Sequence, residues 1–100
     1  MAGESHGERF GELIEATVRG FELVELTRHA LDRMKVRGIS INQILETLRN
    51  PRKTGLPTQP GRKRFRGALN KARAVDVVFE EKTDRIVVVT VVEVERQTRN

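Results

Sequence analysis

The sequence predicts an α+β fold in which N-terminal helices pack on one face of an antiparallel sheet of three to four strands. Three observations carry that expectation. Apolar residues recur at helical spacing through the first half of the chain, where two Ser-led capping boxes also occur. From Lys63 onward the apolar period changes to two. The last long apolar run, RIVVVTVVEVE over residues 85–95, is apolar on both sides, as a central strand is.

The first helix is expected over residues 5–20. S-H-G-E offers a capping box from Ser5 to Glu8, Phe10, Leu13, Ile14 and Val18 follow at helical spacing, and Gly20 is a natural stop. FELVEL, residues 21–26, reads as an extended linker or an edge strand. Thr27 can cap a second helix running to Arg37, with Lys35 and Arg37 in the last turn, where cations suit the helix dipole, and Gly38 behind them. Ser40 opens a third. S-I-N-Q is again a capping box, Ile39 and Ile44 are spaced as a hydrophobic staple, and Asn50-Pro51 ends the helix.

PRKTGLPTQPG, residues 51–61, holds all three prolines and is expected as an exposed loop. Beyond it Lys63, Phe65, Gly67 and Leu69 alternate with Arg62, Arg64, Arg66 and Ala68, which places three arginines on one face of a strand. Val75, Val77 and Phe79 alternate with Ala74, Asp76 and Val78 in the next strand, before a polar turn at residues 81–84. The expected organisation is a helical extension over residues 1–25, one α+β domain over 26–95 and a tail over 96–100.

One hundred residues close one hydrophobic core but not two. Without cysteine there is no disulfide and no thiolate metal site, and two histidines alone do not make a zinc centre, so neither metal nor cofactor is expected. No apolar run reaches the length of a membrane span, and MAGESHGERF lacks the apolar core of a signal peptide. The expectation is a soluble, cytoplasmic protein with no membrane partner. Nothing in the sequence specifies an oligomeric state.

Charge is unevenly spread. Residues 1–26 carry six acids against two bases, whereas residues 49–73 carry nine Lys or Arg and no acid. A field of that kind favours a polyanion, nucleic acid first and an acidic protein second, although a solvated basic loop has the same composition. Arg62, Lys63, Lys71 and Arg73 are the candidate nucleic-acid contacts.

On a helical wheel His29, Arg33 and Arg37 form a stripe bordering the buried side of their helix, beside Ala30 and Met34. In the first turn the positive end of the helix dipole favours the neutral ring that a general base needs. A structural hydrogen bond at the helix start is the competing role. Guanidinium forks at Arg33, Arg37, Arg64 and Arg66 suit a phosphate and the charge that develops on it, and solvated surface charge is their alternative role. Thr90, the only polar residue between Ile86 and Val92, either donates its hydroxyl to a phosphate oxygen or simply serves as a β-branched strand former.

The run HALDRMKVRGIS, then ILETLRNP, then a basic strand and a closing VVVTV resemble the domain of unknown function 4258 family over about residues 26–94. That family in turn resembles the RelE-like and barnase-like ribonuclease toxins of the BECR fold. The resemblance implies a ribonuclease-type site at His29, Arg33, Arg37, one of Arg64 or Arg66, and Thr90, with RNA as substrate, and a domain of this size and charge suits an acidic antitoxin-like protein as partner. The functional expectation is therefore a metal-independent endoribonuclease or toxin-like domain. A nucleic-acid-binding module without catalysis, or a protein-interaction domain, is the alternative.

Overall fold

The computed structural model describes residues 11–96. Strands β1 (Glu12–Val18) and β2 (Phe21–Leu26) form a hairpin, helices α1 (Arg28–Arg37) and α2 (Ile41–Arg49) follow, and β3 (Lys63–Ala68), β4 (Arg73–Glu81) and β5 (Ile86–Glu95) complete one sheet of order β1-β2-β5-β4-β3. Every neighbouring pair is antiparallel except β2 and β5, which run parallel through Val24–Ile86, Glu25–Val87 and Leu26–Val88. The fold is thus α+β with two helices and a mixed sheet of five strands. The expected sheet was purely antiparallel, with three to four strands and the helices at the N-terminus.

Both differences come from residues 12–26. The helix expected over residues 5–20 is a strand over Glu12–Val18, and its proposed cap at Ser5 and Glu8 lies outside the described residues. Ile14, Ala16 and Val18 alternate toward the core, while Leu13, half exposed at 51%, points away, so its place in a helical pattern was coincidental. Gly20 ends no helix. With Arg19 it makes a two-residue hairpin turn in which both residues have positive φ, 52° and 89°, as a type I′ turn requires. FELVEL is neither linker nor edge strand but an interior strand, paired on both sides, with Val24 and Leu26 fully buried.

The helices follow their local signals. Thr27 Oγ1 accepts the Ala30 N–H at 3.1 Å and donates to the Val89 carbonyl at 2.9 Å, so one hydroxyl caps α1 and ties it to β5. At the other end the N–H groups of Ile39 and Gly38 bond the carbonyls of Met34 and Lys35, with Gly38 left-handed at φ 67°, which is a Schellman motif. Ser40 and Gln43 exchange the two bonds of a capping box at 3.1 and 2.9 Å, and Ile39 and Ile44 are both buried across it.

α1 packs chiefly on β5 and α2 on β3, so the helices cover one face of the sheet. The core lies between, where Ala30, Met34, Ile44 and Leu48 meet Phe65, Val75, Val77, Phe79, Val88 and Val91. Gly67 brings α2 close, since a Cβ there would stand 2.1 Å from Thr47 Oγ1. Residues 52–56 run along the outer edge of β3, with the N–H of Arg52 on the Arg66 carbonyl at 2.7 Å and the N–H of Arg66 on the Lys53 carbonyl at 2.8 Å. Arg52, Lys53 and Leu56 of this loop therefore cover a sheet edge. Among the described residues no helix is long and apolar enough to cross a membrane.

A candidate anion site on the open face of the sheet

The alternation in β3 decides what the uncovered face carries. Phe65 and Gly67 face α2, so Arg62, Arg64 and Arg66 face the other way. Directly opposed residues of neighbouring strands share a face. One row across the open face is Arg64, Val78 and Thr90, and the next is Arg66, Asp76 and Val92. At about 4.8 Å per strand the Arg64 and Thr90 backbones stand roughly 10 Å apart with Val78 between them.

Asp76 organises this face. It is 0% exposed, and its carboxylate accepts from Arg64 Nε at 2.8 Å and from Arg66 Nε and Nη2 at 2.6 and 2.9 Å. The two arginine side chains are 29% and 32% exposed, so both are held by the carboxylate and still reach solvent. Burial pushes the Asp76 carboxyl up, but the hydrogen bonds from Arg66 and Arg64 and their charges outweigh it and hold it below the usual carboxylate range. The bond to Asp76 likewise raises Arg66. The clamp carries one net positive charge and keeps both forks in fixed positions.

Asp76 is not among the residues expected from the sequence to form the site. Its signal was present in AVDVVF, where one acid interrupts a central apolar strand and shares the parity that faces the arginines.

The other expected residues divide into two groups. His29 is exposed in the first turn of α1, with no hydrogen-bond partner among the described residues. Arg33 is half-buried, and its Nε is shielded from solvent and has no partner among the described residues. Arg37 is exposed in the last turn, where its carbonyl accepts from Arg73 Nη2 at 3.0 Å. Arg73 also bonds Glu93, which that bond and the Arg73 and Arg37 charges hold below the usual range. Where β2 ends opposite Val88, α1 begins, and it packs on the half of β5 that carries Thr90. α1 thus packs along β5, the strand that carries Thr90, while the Asp76 clamp lies on the open face of β3 and β4.

Of the candidate nucleic-acid contacts, only Arg62 joins the open face, paired with Glu80 at 2.9 Å. Lys63 is on the helix-side parity and pairs with Glu81 at 2.8 Å, Arg73 is tied to Glu93, and Lys71 is exposed in the β3–β4 turn.

Beside the clamp, the open face continues into a cavity of about 470 Å³ lined by Arg52, Lys53, Arg66, Ala68, Ala74 and Arg96 among others. A mixed sheet covered by helices on one face, with a carboxylate-clamped arginine pair on the other, defines a small α+β domain. The chain belongs to the family described as domain of unknown function (DUF4258), whose model matches residues 26–93. That span runs from the end of β2 to near the end of β5 and takes in every candidate site residue, leaving β1 and most of β2 outside it. No curated protein and no solved structure matches the chain.

Proposed function

We propose that the protein is an RNA-acting domain that holds a phosphodiester on the open face of its sheet, and that it cleaves RNA without a metal ion, in the manner of the RelE-like and barnase-like toxins that its family resembles. The supporting observation is the clamp, in which one buried carboxylate fixes two guanidinium groups, that of Arg64 in the row of Thr90 and that of Arg66 in the next, while both side chains stay partly exposed. Donors fixed in advance lose little entropy when a phosphate arrives and suit the charge that builds on it. In this reading His29 takes the proton of a ribose 2′-hydroxyl. The freed oxygen attacks the adjacent phosphorus, the 5′-oxygen departs with a proton from water, and a cyclic phosphate remains. In the same reading Arg64, Arg66 and Thr90 hold the phosphate, and Arg33 and Arg37 neutralise it from α1.

A second reading, RNA binding without cleavage, is favoured by one feature. His29 has no hydrogen-bond partner among the described residues to orient its ring, whereas a catalytic base is normally oriented by a third group. An acidic antitoxin-like partner fits either reading.

Incubating the purified chain with total RNA, beside His29→Ala and Arg64→Ala/Arg66→Ala, tests both. Cleavage lost in His29→Ala and in the double variant supports the nuclease. Binding that depends on Arg64 and Arg66, with no cleavage by any form, leaves the binding module. RNA neither bound nor cut removes both.

A further inference from the structure

The cavity beside the clamp has the composition of a nucleotide subsite. Its floor is the next row of the open face, Ala68, Ala74 and Val94, two residues along each strand from Arg66, Asp76 and Val92. Small side chains on three adjacent strands leave space there, and the floor they make is apolar. At about 470 Å³ the cavity has the size of a small-molecule site.

Its walls carry four cations, Arg52, Lys53, Arg66 and Arg96, against one acid, Glu95. The backbone fixes them. The N–H groups of Arg52 and Lys53 both bond the Arg66 carbonyl, at 2.7 and 3.3 Å, and the Arg96 N–H bonds the Ala72 carbonyl at 2.9 Å. Arg96 Nη1 is further held by the Asn70 carbonyl at 2.7 Å. Arg66 spends Nε and Nη2 on Asp76, and among the described residues Nη1 has no partner, nor do the side chains of Arg52 and Lys53. Arg66 thus belongs to both places, clamped by Asp76 on one side and lining the cavity on the other.

We infer that this cavity binds one nucleotide unit, its base on the Ala68–Ala74–Val94 floor and its phosphate against Arg66, Arg52 and Lys53. The inference rests on the RNA-acting reading and gives it a subsite. Without an aromatic residue on the floor, the contact is apolar rather than stacked and discriminates little between bases. The site thus selects a phosphate attached to a ring over either one alone.

The test titrates AMP, adenosine and inorganic phosphate into the full chain and follows backbone amide shifts. AMP should move the amides of residues 52–53, 66–68, 74 and 94–96, and bind about tenfold or more tightly than either fragment. Ala68→Leu, at an exposed position, fills the floor and should weaken AMP about tenfold while changing phosphate affinity little. Lys53→Ala, also exposed, should weaken both AMP and phosphate. The inference is overturned if AMP shifts none of these amides, if Ala68→Leu melts like the wild type and binds AMP unchanged, or if phosphate binds as tightly as AMP. AMP binding without RNA cleavage would keep the subsite and remove the nuclease. RNA cleavage without AMP binding would remove the subsite alone.

Discussion

Replacing Asp76 with Asn keeps the shape of the side chain and removes its charge. Three charge-assisted hydrogen bonds end on this fully buried carboxylate, from Arg64 Nε and from Arg66 Nε and Nη2. In the variant an amide NH₂ faces a guanidinium donor, so at least one bond becomes a clash of donors. Breaking a buried ion pair from one side costs about 3–5 kcal/mol. Here the stranded arginines are 29% and 32% exposed and can turn to water, which favours the lower end, about 3 kcal/mol. Against a domain stability of about 5–15 kcal/mol that is a large share, and it lowers Tm by roughly 12–24 °C for a chain of this size. Thermal unfolding followed by circular dichroism at pH 7 measures it, and a Tm within about 4 °C of the wild type would refute the reasoning.

The same carboxylate sets an acid signature. Because the folded state holds Asp76 below its unfolded value, its contribution is fully present above about pH 3.9 and is lost as pH falls through the lower folded value. The wild type should therefore lose stability faster than Asp76→Asn on the acid limb below about pH 4. Parallel melting curves over that range would contradict the assignment.

Other perturbations read other parts of the molecule. Gly67→Ala drives a methyl group into Thr47 and should cost about 1–3 kcal/mol, with Thr47→Ala recovering part of the loss in the double variant, measured by urea unfolding. Ser40→Ala removes one half of the α2 capping box and should cost about 1 kcal/mol in the same assay. His29→Ala, at an exposed position, should leave Tm within about 2 °C while abolishing any RNA cleavage, so a large loss of stability would mark His29 as structural. Filter-binding of RNA between low and moderate salt should weaken steeply, and Arg52→Ala/Lys53→Ala should flatten that dependence; an unchanged slope would place the RNA elsewhere.

The helices were legible because their instructions are local. Thr27, Gly38, the Ser40–Gln43 box and the Ile39–Ile44 staple each act within one or two turns, and the structure uses all of them. The strands from Lys63 onward were legible for a similar reason. Their alternation or apolar run is written in consecutive residues, and alternation alone put three arginines on one face of β3.

Residues 12–26 lacked such an instruction. ELIEATV satisfies a helical spacing and an alternating one almost equally, and Gly20 with positive φ suits a helix end as well as a hairpin turn. What decided between them was β5, a strand some 60 residues away whose exposed backbone groups pair with Val24–Leu26 and draw the hairpin into the sheet. The site divides in the same way. Sequence by itself put Arg62, Arg64 and Arg66 on one face. Only the tertiary register set Asp76 between Arg64 and Arg66, laid a floor of small side chains beside them and placed α1 along β5, because pairing across strands is fixed by burial and hydrogen bonding over the whole sheet, and no short window of residues contains it.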